Sequence, residues 1–116
     1  MSELTEKIAD FLRILGEQTR LDILNLLKSG EKSGEKSSRE IEVSLEKSQS
    51  TISQHLKTLI DADLISFEKK GNIKYYLIKN DYVFKILTFV QSFVISLESE
   101  KRRKAADLDI YDTLGA

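Results

Sequence analysis

The chain of 116 residues contains no cysteine and a single histidine. The first absence excludes disulfides, thiolate metal sites and cysteine redox sensing. The second excludes a metal site built from several histidines of one chain. Nor is there an excess of basic charge: 18 Lys and Arg stand against 19 Asp and Glu, a net charge of −1. That counts against a non-specific nucleic-acid coat, whose usual footprint is a strongly basic chain. It leaves sequence-specific binding open, because the position of charge matters more than its sum. No apolar run reads as long enough to span a bilayer. The segment Met1-Ser2-Glu3-Leu4-Thr5-Glu6-Lys7 lacks the basic-then-apolar order of a signal peptide. A cytoplasmic protein without a membrane partner is therefore expected. No Ser-His-Asp arrangement, carboxylate pair or Gly-rich phosphate loop stands out, so no enzyme is expected and no cofactor is implied.

What is present organises around Ser48-Gln49-Ser50-Thr51-Ile52-Ser53-Gln54-His55-Leu56-Lys57-Thr58-Leu59-Ile60. Ile52, Leu56, Leu59 and Ile60 fall at helical spacing and form one apolar stripe. Ser48 stands just before it as an N-cap. Ser50, Thr51, Gln54, Lys57 and Thr58 point away from the stripe. This outer face is small, mostly uncharged and rich in hydrogen-bonding groups. Such a face suits the close approach to base edges that major-groove reading requires. Gln49, Ser50, Thr51 and Gln54 are the candidate base readers. His55 lies at the flank of the stripe, as a half-buried residue that orders the helix or touches a phosphate. Arg20 reads as a structural hydrogen-bonder.

The flanking segments fit one domain, residues 1–116. A first amphipathic helix, residues 4–15, carries Leu4, Ile8, Phe11, Leu12 and Leu15 and stops at Gly16. A second, about 17–28, is apolar around much of its circumference and ends at Ser29-Gly30. Then Ser29-Gly30-Glu31-Lys32 is repeated as Ser33-Gly34-Glu35-Lys36, with Ser37-Ser38-Arg39-Glu40 as a diverged third copy. Gly and charge without apolar residues predict a solvated loop. Ser37 and Glu40 form a candidate capping box for a short third helix to Leu45. The central helix is expected to run on through Asp61-Ala62-Asp63, with Leu64 tucked beneath it. Residues 65–67 and 73–78 then flank a Gly-Asn turn as a β-hairpin. Between Ser66 and Lys79 there are four lysines and one acid. Ser48, Lys57, Lys69, Lys70 and Lys74 are the candidate phosphate contacts.

Asp81 opens a last helix, residues 81–104. Val83, Ile86, Leu87, Val90, Phe93, Val94 and Leu97 recur at threes and fours along it. They predict an interface with a second copy. Glu98-Arg102 and Glu100-Lys104 are expected surface pairs. The end, Asp107-Leu108-Asp109-Ile110-Tyr111-Asp112, reads equally as packed on the dimer or frayed. An effector, if the protein has one, is expected in the apolar interface near Phe84, Phe89 and Phe93.

The segments Leu15-Gly16-Glu17-Gln18-Thr19-Arg20-Leu21-Asp22-Ile23-Leu24, Ser48 to Leu59 followed by Ala62-Asp63-Leu64-Ile65, and Gly71-Asn72-Ile73-Lys74-Tyr75-Tyr76-Leu77 occur in that order. Together they resemble the ArsR (ArsR/SmtB) family of repressors. The resemblance implies a mostly α fold with a small β-hairpin. This is a winged helix-turn-helix over residues 15–79, with a long C-terminal dimerisation helix. It also implies a homodimer paired through its first and last helices, which adds Leu4, Ile8 and Phe11 to the interface, and a near-palindromic double-stranded operator read by two helices about one DNA turn apart. Two departures matter. The family's metal sensors carry Cys-x-Cys on the third helix, where this chain has Ser38-Arg39-Glu40-Ile41-Glu42-Val43-Ser44-Leu45. Glu17-Gln18 stands where members often have Asp-Pro. The expected function is a dimeric, sequence-specific transcriptional regulator of repressor type that does not sense metals. A protein-interaction winged helix and a non-specific architectural DNA binder remain the alternatives.

Overall fold

The computed structural model describes residues 2–28 and 34–115, and the side chains of residues 2–28 and 34–109. The chain divides into two compact units, Met1–Phe84 and Lys85–Ala116. The expected helix end at Ser29-Gly30 and the first Ser-Gly-Glu-Lys copy, through Ser33, lie outside the described residues.

In the first unit, helix α1 (Ser2–Leu15) stops where Gly16 N–H donates to Leu12 C=O at 2.8 Å. A Cβ at Gly16 would come within 3.0 Å of that same carbonyl, so glycine fits this tight end. Helix α2 (Gln18–Lys28) follows and buries Ile23, Leu24 and Leu27. Strand β1 (Lys36–Ser37) comes next, followed by helix α3 (Ser38–Leu45). The expected capping box is formed: Glu40 N–H donates to Ser37 Oγ at 3.1 Å, and Ser37 N–H donates to Glu40 Oε1 at 3.3 Å. Ile41 is the buried face of α3.

Helix α4 (Gln49–Asp61) is capped by Ser48, whose Oγ accepts from Thr51 N–H at 3.2 Å. It ends earlier than the sequence suggested. Asp63 takes a left-handed φ of 62°. Leu64 N–H then donates to Leu59 C=O and Asp63 N–H to Ile60 C=O, each at 3.0 Å. This paired closure satisfies the last carbonyls and turns the chain, and Leu64 is buried beneath it as expected.

Strands β2 (Ile65–Lys70) and β3 (Ile73–Ile78) pair antiparallel, with Ile65 opposite Ile78 and Lys70 opposite Ile73. The hairpin is longer than expected, because Glu68, Lys69 and Lys70 belong to the strand and the turn is Gly71-Asn72 alone. Gly71 has φ of 66°, the positive value that the first central residue of a tight hairpin turn needs. The sheet also has a third strand, in the order β1-β3-β2. This corrects the expectation of a simple solvated loop before α3. The end of that loop is a strand held by backbone pairing, with Lys36 opposite Tyr76 and Ser37 opposite Tyr75. The fully buried side chains of this unit are Ile23, Leu24, Leu27, Ile41, Ile52, Leu59 and Ile65, and they lock α2, α3 and α4 to the base of the hairpin.

Helix α5 (Asp81–Gly115) begins in the first unit and makes up the second. It continues well past the expected end at residue 104. Its polar end pairs Glu98 with Lys101 at 3.7 Å rather than with Arg102, and Glu100 with Arg103 at 3.2 Å and Lys104 at 3.9 Å. By length and composition alone, the stretch Asp81–Asp109 is long and apolar enough to cross a membrane. This overturns the expectation drawn from unbroken runs. Lys85 interrupts the run in sequence, but a continuous helix carries the apolar residues on both sides of it.

Candidate nucleic-acid interface

The polar face of α4 is built from its cap outward. Ser48 Oγ lies 2.9 Å from Thr51 Oγ1 and 3.2 Å from Ser50 Oγ, so three hydroxyls close over the first turn. Thr58 Oγ1 donates back to Gln54 C=O at 3.1 Å. These local bonds fix the hydroxyl side chains against their own helix. Gln49 and Gln54 differ. Both are exposed, and among the described residues neither side-chain amide has a hydrogen-bond partner. An amide presents one acceptor and two donors, so these two side chains are the ones free to read a base edge. Lys57 sits on the same helix, paired with Asp61 at 3.1 Å.

The opposite flank of α4 is tied to α2. Arg20 Nε donates to Ile14 C=O at 2.6 Å, and its Nη1 lies 3.3 Å from His55 Nδ1. Glu17 Oε2 accepts from Arg20 N–H at 2.9 Å and lies 3.8 Å from His55 Nδ1. The Arg20 N–H is the main reason that the Glu17 carboxyl sits below the usual range. Burial opposes it, while the Thr19 N–H and the His55 and Arg20 charges help. Glu17 therefore caps the start of α2 without the Asp-Pro pair. His55 is half-buried and orders α4, and Arg20 is a structural hydrogen-bonder. Sequence spacing gave no sign that these two residues, 35 apart, would meet.

On the hairpin the candidate lysines fall on two faces. Side chains alternate along a strand. The register thus puts Lys69 beside Lys74, and Phe67 beside Tyr76, on one face. Lys74 Nζ stands 4.5 Å from the centre of the Phe67 ring, which itself packs on Tyr76 at 5.8 Å. Burial raises the Tyr76 phenol above its ordinary value, so its hydroxyl stays protonated. Lys70 lies on the other face, over the Tyr75 ring and ion-paired with Glu35. That carboxylate raises the Lys70 ammonium above its ordinary value.

The candidate interface residues between copies are split by exposure. Leu4, Ile8, Val90, Phe93, Val94 and Leu97 are exposed, Phe11 and Ile86 half-buried, and Val83 and Leu87 buried within the single chain. Phe89, at 76% exposure, is among the most open apolar residues. Among the described residues, no three His, Cys, Asp or Glu cluster as metal ligands.

The model of the family described as "Bacterial regulatory protein, arsR family" matches residues 17–66. The chain is similar to the arsenical resistance operon repressor of Staphylococcus xylosus, at 30% identity over 78 residues, spanning 67% of this chain and 71% of that one. Similarity to the arsenical resistance operon repressor of Bacillus subtilis reaches 37% over 87 residues, 75% of this chain and 80% of that one. In structure it resembles the homodimeric winged helix-turn-helix DNA-binding domain from Mycobacterium bovis. The TM-score is 0.71 at 26% identity, over 80% of this chain and 82% of that one.

Proposed function

The chain belongs to the arsR family of bacterial regulatory proteins, and from that premise we propose that it is a dimeric, sequence-specific repressor of transcription that does not sense metals. The unpartnered amides of Gln49 and Gln54, side by side with capped hydroxyls on the exposed face of α4, carry this reading. They give the helix hydrogen-bonding groups without charge, which is what base discrimination needs. Ser50 and Thr51 complete the reading face. Ser48, Lys57, Lys69, Lys70 and Lys74 hold phosphates around it. The name of the relatives supports repression. Their arsenical specificity is not carried over, because this chain has no thiol to bind a soft metal ion.

The exposed row Phe89, Val90, Phe93, Val94 and Leu97 supports pairing with a second copy. A symmetric dimer presents two α4 helices and so requires an inverted repeat. An unknown effector, if the protein has one, binds the apolar interface near Phe84, Phe89 and Phe93. The protein then acts where the DNA is, in the cytoplasm.

Selection of the purified protein against a random double-stranded DNA pool tests the reading. The expected result is an enriched inverted repeat, with binding unaffected by arsenite or zinc. Retention without a motif would move the function to an architectural role. Absence of retention at low salt would overturn the DNA reading altogether.

A further inference from the structure

The two faces of the hairpin differ in chemistry, and the difference points to a site. On the face shared by Lys69 and Lys74, a cleft of about 490 Å³ opens between the hairpin and the start of α3. Arg39, Lys69 and Lys74 line it together with Ser38, Asn72 and Tyr76, and no carboxylate is among its lining residues. The hairpin's own acid, Glu68, pairs across the ladder with Tyr75 on the opposite face. Arg39 is open to solvent, its side chain 82% exposed. It is ion-paired with Glu42 at 3.6 Å through Nη1 and Oε1, while the other carboxylate oxygen accepts from Ser38 Oγ at 2.9 Å. That single long contact leaves most of the five guanidinium donors open to a further acceptor. Lys74 is positioned by the Phe67 ring beneath it.

Three cations converging on one cleft, with hydroxyl and amide groups between them, match a dianionic or monoanionic oxyanion. A planar guanidinium fits a phosphate through two parallel hydrogen bonds. The cleft is open and shallow-walled on the same unit as α4, and α3 packs directly on α4. When a recognition helix lies in a major groove, the helix preceding it crosses the sugar-phosphate backbone.

We propose that this cleft seats a backbone phosphate of double-stranded DNA, held by Arg39 of α3 together with Lys69 and Lys74 of the hairpin. Arg39 is thereby a DNA contact that the helix-turn-helix pattern alone does not reveal. The proposal rests on the DNA-binding reading above. It also ranks the basic residues. Lys70 faces away from the cleft and is already matched by Glu35, so it contributes less than Arg39.

The test measures binding of the full chain to a 30-base-pair duplex by fluorescence anisotropy across a salt series. It compares the wild type with Arg39→Ala, Lys74→Ala and Lys70→Ala. Removing one phosphate-binding cation lowers the slope of log K against log salt by about 0.9. Arg39→Ala and Lys74→Ala are each expected to reduce that slope by about one. They should weaken binding roughly tenfold on every duplex, with melting temperature and base preference unchanged. Lys70→Ala should change the slope by clearly less. An Arg39→Ala slope equal to that of the wild type, or no larger in effect than Lys70→Ala, overturns the cleft assignment while leaving DNA binding intact. Failure of the wild type to bind any duplex at low salt overturns the underlying reading instead. Inorganic phosphate that competes with DNA equally well for wild type and Arg39→Ala would likewise count against the cleft.

Discussion

Helices α4 and α5 carry the same kind of apolar stripe and meet opposite fates. On α4, Ile52, Leu56 and Leu59 are closed off from solvent, none more than 2% exposed. On α5, Phe93 stands 64% exposed within a row of similar residues. Spacing at threes and fours says that a face is to be covered; it does not say by what. For α4 the cover comes from α2, α3 and β2, and the stripe is an element of folding. For α5 the exposed row is a surface of the kind that proteins keep for association. The polar sides differ in the reverse sense. That of α5 is a run of surface ion pairs, whereas that of α4 holds unpartnered amides.

The largest effect is expected where the stripe is buried. Ile52→Ala removes a fully enclosed side chain and should cost about 2–5 kcal/mol, read as a lower midpoint in urea unfolding at unchanged slope. A destabilisation below about 1 kcal/mol would mean that the α4 stripe is not the core element described.

Phe93→Asp addresses the exposed stripe. A charge at the centre of a pairing surface should weaken self-association by about 2 kcal/mol or more, roughly thirtyfold or greater in the dimer dissociation constant. Analytical ultracentrifugation over a concentration series reads it. A wild type that sediments as a monomer throughout, or a variant that dimerises equally well, would remove the second copy as the cover for α5.

Gln54→Ala probes the polar face of α4. The variant should lose about 1–3 kcal/mol of discrimination at one base position while binding other duplexes nearly unchanged. Equal weakening on all sequences would make Gln54 a backbone contact.

The two helices and their neighbours also show what a sequence displays and what it hides. Local signals were visible: the Ser37–Glu40 box, the Ser48 cap and the Gly71-Asn72 turn each involve residues at most three apart, and each formed as expected. Non-local ones were not. Strand β1 is two residues long, without alternation, at the end of a repeat, and it exists only because β3 offers it backbone partners. Glu68, Lys69 and Lys70 look like loop residues and are strand because the hairpin register extends to the turn. Lys70 and Lys69 are neighbours in sequence, yet the pleat sends them to opposite faces, one toward Glu35 and the other toward Arg39. The polar tie between α2 and α4 is of the same non-local kind.

That tie gives the smallest effect and an informative one, because it anchors the covered side of α4 at its polar rim. The Glu17 carboxylate accepts from Arg20 N–H at 2.9 Å and sits near His55. Its folded-state pKa lies below the ordinary 4.5. A group shifted in this direction contributes its stabilisation fully above the unfolded value and loses it as pH falls through the folded one. The side chain is 37% exposed, so solvent screens the interaction and the contribution is small. Glu17→Gln keeps an oxygen to cap α2 but cannot titrate. Melting temperatures of wild type and variant should therefore run parallel from neutral pH down to about 4.5. Below that the wild type should fall more steeply, as protonation removes an interaction that the variant never had in ionised form. Parallel curves down to pH 3 would mean that the carboxylate is no better placed in the fold than in the open chain. The tie holding α4 would then rest on Arg20 and His55 alone.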